Sequence, residues 1–297
     1  MAENPAVTSV KKINTCINMN LNNNNINLQE LINGNIEELS DGALTNINSY
    51  AFRYCTSLTS IDLPVCTNIG DYAFRYCTAL NSINLPVCTS IGSYAFDDCI
   101  KLTSINVPVC TNIGNSAFNS CISLTSIDLP VCTSIGNYAF YRCTKLTSIN
   151  VPVCTSIGSS AFDSCESLTS IDLPACTSIG SSAFDSCESL TSIDLPACTS
   201  IYYGAFMNCT SLTSIDLPVC TNIRSSAFNS CTKLTSIKLA NASIICTLSN
   251  SDAFKNTPIA NKAGYIYVPD ELVEQYKKAT NWSVYASQIK PLSAYKE

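Results

Sequence analysis

Apolar and polar residues follow one another along most of this chain with a fixed period. An Ala-Phe pair recurs every 22 residues, and its phenylalanine falls at positions 52, 74, 96, 118, 140, 162, 184, 206 and 228. Cysteine recurs at half that interval, every 11 residues from Cys55 to Cys231. Such a period predicts a repeat protein, in which each repeat buries its apolar residues by stacking on its neighbours.

One repeat, residues 58–77, shows how the positions are used. Leu-Thr-Ser-Ile-Asp-Leu-Pro alternates apolar and polar residues around Ile61, which predicts a short strand. Pro64 ends this strand because proline has no N–H for the ladder. The return segment, Ile-Gly-x-x-Ala-Phe-x-x-Cys, places Phe74 and Cys77 at near-helical spacing and predicts a turn of 3-10 or α-helix.

These two motifs together, over about residues 44–246, closely resemble the BspA-type leucine-rich repeat family. The resemblance implies an α/β repeat solenoid: a right-handed leucine-rich-repeat superhelix with short parallel strands on its concave face and 3-10 or helical turns on its convex face. It also implies adhesion, as in bacterial and protist surface proteins and in repeat proteins carried by gut bacteriophages. The closing segment looks like the terminal module often appended to such arrays.

The chain divides into four segments on this pattern. Asparagine-rich residues at the start lack apolar periodicity, and the last part breaks the 22-residue register before a predicted strand at 265–268, a helix from Asp270 through Lys278, and Trp282 as a core residue. The predicted segments are a flexible or partner-docking N-terminal arm (1–30), a degenerate N-terminal cap repeat (31–49), the repeat array (50–246) and a C-terminal strand-helix capping module (247–297).

The composition of the chain excludes several classes of function. The chain has no histidine, a net charge of −6 and only 13% charged residues. Catalysis and metal binding through imidazole are therefore excluded, and so few cations argue against nucleic acid. We expect a scaffold that is not an enzyme and has no cofactor or metal. We also expect no membrane insertion, because the sequence has no apolar run of spanning length, and we detect no signal peptide.

The cysteines predict a packed interior rather than a reactive site. No Cys-x-x-Cys occurs, and residues 11 apart on opposite sides of one repeat cannot converge on a metal. Parallel side chains on stacked repeats keep Cβ atoms too far apart for most disulfides. We therefore expect the array cysteines to be buried free thiols, and Cys16 to be the more reactive one.

Large aromatic and cationic residues recur on the return segments near the N-terminus. Tyrosine and arginine are common at binding hot spots, so this set predicts a binding surface. The alternative is aromatic packing between repeats without a partner. The residues are Tyr50, Arg53 and Tyr54, then Tyr72, Arg75 and Tyr76 one repeat on, and Tyr94 at the start of a third.

The strands offer an alternative surface on the predicted concave face. Three aspartates on successive repeats could hold a cation such as calcium, but one carboxylate per repeat seldom completes a calcium site. A solvated acidic stripe is the favoured interpretation. The outward residues of this surface are Ser170, Asp172, Ser192, Asp194, Ser214 and Asp216.

The resemblance, rather than composition, carries the functional prediction. It favours adhesion or receptor recognition at a bacterial cell or phage virion surface, with a protein or glycan on a cell surface as partner. The alternative is a structural accessory component of a phage tail or other assembly, docked to virion or assembly proteins through the N-terminal arm. We expect production in the cytoplasm and a final location on the extracellular surface or the virion.

Overall fold

The structure, a computed structural model, describes residues 7–9 and 37–296. It divides between Val151 and Pro152 into an N-terminal unit and a C-terminal unit. Each unit is built from short parallel strands with few helices. The predicted leucine-rich-repeat solenoid is therefore confirmed as the fold class.

Two sets of strands alternate along the N-terminal unit. The even-numbered strands carry Ser-Ile-Asp or Ser-Ile-Asn in most repeats, and the odd-numbered strands of the array end in isoleucine. In chain order they are β1 (Val7–Ser9), β2 (Glu38–Asp41), β3 (Asn46–Ile47), β4 (Ser60–Asp62), β5 (Asn68–Ile69), β6 (Ser82–Asn84), β7 (Ser90–Ile91), β8 (Ser104–Asn106), β9 (Asn112–Ile113), β10 (Ser126–Asp128), β11 (Ser134–Ile135) and β12 (Ser148–Asn150).

Both sets form parallel sheets in which a residue lies beside its equivalent in the next repeat. In the first sheet Ser60 pairs with Ser82, and in the second Ile69 pairs with Ile91. The first sheet's strands are short for the predicted reason. The amide of Leu63 still donates to the next repeat, and the following residue is a proline that cannot.

The return segments differ from the predicted helical turns. The amide of Phe52 donates to the carbonyl of Ala73 in the next repeat at 2.7 Å, whereas the amide of Arg53 donates to Tyr50, three residues back, at 3.2 Å. Donors alternate between these two directions along the segment. The i to i−3 bonds of a 3-10 helix are therefore interrupted at every second residue, which leaves successive turns in place of a helix.

The C-terminal unit continues the same alternation and ends in a cap. Its strands are β13 (Ser156–Ile157), β14 (Ser170–Asp172), β15 (Ser178–Ile179), β16 (Ser192–Asp194), β17 (Ser200–Ile201), β18 (Ser214–Asp216), β19 (Asn222–Ile223), β20 (Ser236–Lys238), β21 (Thr247–Leu248), β22 (Tyr265–Val268) and β23 (Ile289–Pro291). The α-helix α1 spans Val273–Lys278, and 3-10 helices span Ser251–Phe254, Asp270–Leu272, Ser283–Tyr285 and Leu292–Ala294.

The cap adds two strands to the sheet that contains β18 and β20. Strand β22 pairs with β20, and β23 pairs with β22, both in parallel. The predicted strand at 265–268 is confirmed, and the predicted helix begins as the 3-10 helix at Asp270–Leu272 and continues as α1. Trp282 is buried as predicted, and its indole N–H donates to the carbonyl of Cys246 at 2.7 Å.

A column of stacked phenylalanines forms the centre of each core. In the N-terminal unit Phe74 lies 5.1 Å from Phe52 and 5.3 Å from Phe96, measured between ring centroids. In the C-terminal unit the column ends at Phe254, against Tyr285 of the cap. In the N-terminal unit, neighbouring repeats approach closely at the bend into the return segment. A Cβ on Gly70 would lie 2.5 Å from the backbone nitrogen of Ser49, which explains the glycine at this position.

The cysteines line these cores, with one correction to the prediction. Every cysteine from Cys66 to Cys231 in the 11-residue series is a buried thiol that forms no disulfide, and so is Cys246. Cys55, which was predicted to be free, is disulfide-bonded. The remaining cysteine, Cys16, lies outside the described residues, and so does its predicted reactivity.

Most of the predicted N-terminal arm (1–30) also lies outside the described residues. Its described part, β1, pairs antiparallel with β2, Val7 opposite Asp41. Strands β2 and β3, within the predicted cap repeat, pair in register with β4 and β5. The role of the arm in docking stays a prediction.

Candidate functional site

The predicted tyrosines form two columns on the return segments of the N-terminal unit. Tyr72 stacks on Tyr50 and on Tyr94, with ring centroids 4.8 Å apart and planes within 4° in both pairs. Tyr54 and Tyr76 form the second column, also at 4.8 Å. The ring spacing equals the usual spacing between strands, so the stacking follows directly from the 22-residue period.

Each of these tyrosines occupies an unfavourable backbone conformation. Their φ angles lie between 56° and 66°, in the left-handed region. The equivalent positions of several C-terminal repeats hold serine, as at Ser160, Ser164, Ser182 and Ser186. A left-handed conformation costs a residue other than glycine about 1–2 kcal/mol, and tyrosine has no polar atom near its backbone to compensate. Stacking must offset this cost at all five positions.

Two arginines lie against the faces of these rings. The guanidinium carbon of Arg53 is 4.7 Å from the ring centroid of Tyr54 and 5.7 Å from that of Tyr50. The guanidinium carbon of Arg75 is 4.6 Å from the centroid of Tyr76. These are cation–π distances, so each arginine joins the two columns. We call Tyr50, Arg53, Tyr54, Tyr72, Arg75, Tyr76 and Tyr94 the tyrosine–arginine surface.

A buried carboxylate in the third repeat fixes Arg75. The Nε of Arg75 donates to Oδ2 of Asp97 at 2.6 Å, and the side-chain Nδ2 of Asn119 donates to Oδ1 at 2.7 Å. Asp97 is fully buried, and burial raises the pKa of its carboxyl, while the charge of Arg75 opposes that rise. Asp97 is a site residue that the sequence analysis missed, and the signal was its position 22 residues after Arg75.

Arg53 has no such carboxylate. The aligned position one repeat on is Arg75 itself, and the Nε of Arg53 is buried without a hydrogen-bond partner among the described residues. Its Nη2 donates to the hydroxyl of Tyr54 at 3.1 Å. The guanidinium of Arg53 therefore lacks the carboxylate partner that fixes Arg75, and its Nε–H makes no hydrogen bond among the described residues.

Within the tyrosine–arginine surface, the same repeat also has the most exposed rings. Tyr50 is 43% exposed and Tyr54 51%, whereas Tyr72, Tyr76 and Tyr94 are half-buried by their stacked neighbours. Since the rings stack face to face, the free faces lie at the N-terminal end of the columns. That end combines two open phenol rings with one arginine.

A polar groove of about 390 Å³ lies on the second sheet of the same unit. Sequence analysis did not find it, because its lining comes from equivalent positions of several repeats. It is lined by Asn68, Ser90 and Asn112, with Asp71 and Gly92 at the bends. Asp71 directly precedes Tyr72 in the chain, so the groove and the tyrosine–arginine surface adjoin along the backbone.

The alternative surface is in the C-terminal unit. Asp172 pairs with Asp194 in register on β14 and β16, and Ser170 pairs with Ser192. Asp216 follows Ser214 on β18 and forms an ion pair with Lys238 at 2.8 Å. The part of the chain that the structure describes has no group of three or more acidic, cysteine or histidine residues placed to hold a metal ion.

The cap adds a cluster of tyrosines and lysines to this same face. Lys238 Nζ is 4.7 Å from the ring centroid of Tyr295, which packs edge-on against Tyr267. Lys290 Nζ is 5.5 Å from the centroid of Tyr265. The sequence analysis did not name these residues as a site, although Tyr265 and Tyr267 alternate in the predicted strand.

Comparison with known proteins places the chain in a family. Residues 45–166 and 155–273 match the family described as the BspA type leucine rich repeat region, in six copies. The chain belongs to the BspA-type leucine-rich repeat family. Leucine-rich repeat proteins of this kind are typically binding scaffolds without catalytic activity, and they generally bind proteins.

Several solved structures are similar to this BspA-type chain. A leucine-rich repeat protein of T. pallidum is 32% identical over 49% of this chain and 71% of its own, with a TM-score of 0.46. A leucine-rich cell surface protein of Faecalibacterium prausnitzii is 22% identical, over 86% and 92%, with a TM-score of 0.38. A leucine-rich repeat protein of Bacteroides ovatus is 20% identical, over 87% and 95%, with a TM-score of 0.38.

No curated protein matches this BspA-type chain. Within the described residues, none of the helices has the length and apolar character needed to cross a bilayer.

Proposed function

We propose that this BspA-type protein is an adhesion or receptor-recognition scaffold, which works at an extracellular or virion surface and binds a protein or glycan on a cell through its tyrosine–arginine surface. The observation that carries the proposal is the placement of five tyrosines in left-handed backbone conformations, in two columns joined by arginines.

The cost of that arrangement supports a role in binding. Serine serves the same backbone positions elsewhere in the array, so the fold itself does not require tyrosine there. Stacking satisfies the inner rings, but Tyr50 and Tyr54 keep large exposed areas at the end of the columns. Aromatic rings beside an arginine are the side chains that most often dominate a protein interface.

The surface is also preorganised. Each ring is held by stacking, and Arg75 is held by the buried carboxylate of Asp97. A partner therefore orders few side chains when it binds, which keeps the entropic cost of association low.

The test is the binding of fluorescently labelled full-length protein to a panel of intact bacterial and mammalian cells, with Tyr50→Ser and Tyr54→Ser combined in one variant. Serine is chosen because it occupies the equivalent positions of other repeats. Losing a hot spot typically costs 2 kcal/mol or more, so the apparent Kd should rise by at least about thirtyfold while the melting temperature falls little.

The matched control is Asp172→Ser combined with Asp194→Ser, on the strands of the other unit. If the control abolishes binding and the tyrosine variant does not, the partner binds the strands and the proposal is wrong. If no cell type binds the wild type, whereas the protein is found in an assembled virion, the accessory structural role takes its place.

A further inference from the structure

Two parallel sheets of the C-terminal unit, β14–β16 and β18–β20–β22–β23, present mostly charged side chains of both signs to solvent, one residue per strand. Register pairs join Asp172 to Asp194, Asp216 to Lys238, Lys238 to Tyr267, and Tyr267 to Lys290, and Asp216 lies 22 residues after Asp194. We call this series the charge column. In order along the unit it contains Asp172, Asp194, Asp216, Lys238, Tyr267 and Lys290.

The two halves of the charge column differ in whether their charged side chains have partners. Lys238 is fixed by its ion pair with Asp216 and by the ring of Tyr295, and Lys290 lies against Tyr265. Asp172 and Asp194 are exposed, and neither forms an ion pair with a lysine or arginine of the described residues. Two carboxylates about 4.8 Å apart repel each other, so this end favours a cationic partner.

The spacing of the column restricts what can match it. Within each of the two sheets its side chains recur at the separation of paired strands, about 4.8 Å. An extended peptide presents side chains on one face every 6.8 Å or so, and falls out of step within a few residues. A second copy of the same column has the same spacing between paired strands, so residues on paired strands of the two copies can face each other.

If a second copy of the charge column is laid against the first in the opposite direction, each aspartate of one copy faces a lysine or a tyrosine of the other. A two-fold axis parallel to the strands, between Asp216 and Lys238, would place Asp172 of one copy opposite Lys290 of the other. The same axis would place Asp194 opposite Tyr267, and Asp216 opposite Lys238. We propose that two copies of this protein associate face to face through the charge column, with every carboxylate opposite a lysine or a phenol hydroxyl.

One property of the residues agrees with this arrangement. Burial, followed by the neighbouring Tyr265 and Tyr295, raises the pKa of Tyr267, so its hydroxyl remains a hydrogen-bond donor at neutral pH. The proposal is independent of the proposed cell-binding function, because the tyrosine–arginine surface belongs to the other unit.

The dimer should be weak and sensitive to salt. A single column of side chains gives a narrow interface, below the roughly 1,200 Å² of a standard one, and exposed ion pairs are screened. We expect a Kd of about 10–100 µM at low ionic strength and at least about a tenfold increase at 0.5 M salt.

The experiment is sedimentation equilibrium of the full-length chain over a range of concentrations, at low and high salt, with two charge-swap variants. Asp172→Lys and Lys290→Asp should each be monomeric, because each places like charges opposite one another twice in the dimer. An equimolar mixture of the two should form a heterodimer about as tight as the wild-type dimer, because one facing pair then has its charges exchanged, the other is the native pair, and both join opposite charges.

Glu188→Lys and Lys255→Asp are matched controls, since they make the same charge changes at exposed positions outside the column. Both should dimerise like the wild type. A wild type that is monomeric at all concentrations in low salt would overturn the proposal, and so would a dimer that persists in both charge-swap variants.

Discussion

At the residue scale, the cysteines from Cys66 to Cys231 are small buried core residues, and their thiols donate hydrogen bonds. The thiol of Cys66 donates to the carbonyl of Asn68 at 3.4 Å, and that of Cys77 donates to Phe52 in the preceding repeat at 3.2 Å. Burial raises the pKa of Cys88 to about 11 and that of Cys110 to about 12. A thiolate inside these cores is therefore unfavourable, which matches their structural role.

These shifts predict a loss of stability at alkaline pH. The folded state holds the thiol protons more tightly than the unfolded state, whose cysteines have a pKa of 9.0, so this stability is full below pH 9 and disappears as pH rises towards 11 or 12. Each such thiol should cost about 2 kcal/mol of unfolding free energy between pH 8 and 11. Guanidinium denaturation at both pH values measures it.

The matched variant combines Cys88→Ala with Cys176→Ala, whose thiol pKa is likewise raised by burial to about 11. Its stability should fall less steeply with pH than that of the wild type. Equal slopes would show that tyrosines or lysines, which also titrate in this range, cause the alkaline loss.

At the scale of elements, the sequence predicted the strands better than the turns. Alternation around Ile61 and the proline after Leu63 determine where a strand begins and ends, and both are local signals. The return segments instead depend on amides that donate to the next repeat, such as Phe52 to Ala73. A glycine in the sequence indicates a left-handed backbone conformation, but a tyrosine or serine does not. The sequence therefore could not predict that these segments form successive turns in place of a helix.

The candidate site shows the same division. Sequence analysis grouped Tyr50, Arg53 and Tyr54 as one set on the return segment, and the structure places their side chains in contact. The pairing of Arg75 with Asp97 was missed, because Asp97 belongs to another repeat and a buried acid has no local sequence signal.

The stacked phenylalanines predict how damage to one repeat spreads. Phe184→Ala should cost about 3–5 kcal/mol of unfolding free energy, because it opens a cavity between Phe162 and Phe206, whose rings lie 5.2 Å and 5.4 Å from it. Since a repeat contacts only its neighbours, hydrogen exchange should rise most in the adjacent repeats. Val219→Ala, at an exposed position, is the control and should change stability by less than about 0.5 kcal/mol. Uniform loosening along the array would contradict nearest-neighbour coupling.

At the scale of the whole molecule, one period sets both the core and the surfaces. Stacking at a fixed spacing buries a phenylalanine and cysteine interior in each unit, and the same spacing aligns whatever side chains face outwards. Where those are tyrosine and arginine, the repeats create a rigid aromatic surface that the fold does not need. We therefore propose that the first repeats of the N-terminal unit bind the partner.

Tyrosine iodination followed by mass spectrometry, with and without bound cells, tests this assignment most directly. Tyr50 and Tyr54 are 43% and 51% exposed, and Tyr202 and Tyr203, at 43% and 53%, are matched internal controls on the other unit. We predict that bound cells slow the modification of Tyr50 and Tyr54 at least about tenfold, as expected for rings at the centre of an interface, and leave Tyr202 and Tyr203 unchanged. Unaltered rates at Tyr50 and Tyr54 on cell-bound protein, or protection confined to Tyr202 and Tyr203, would contradict it.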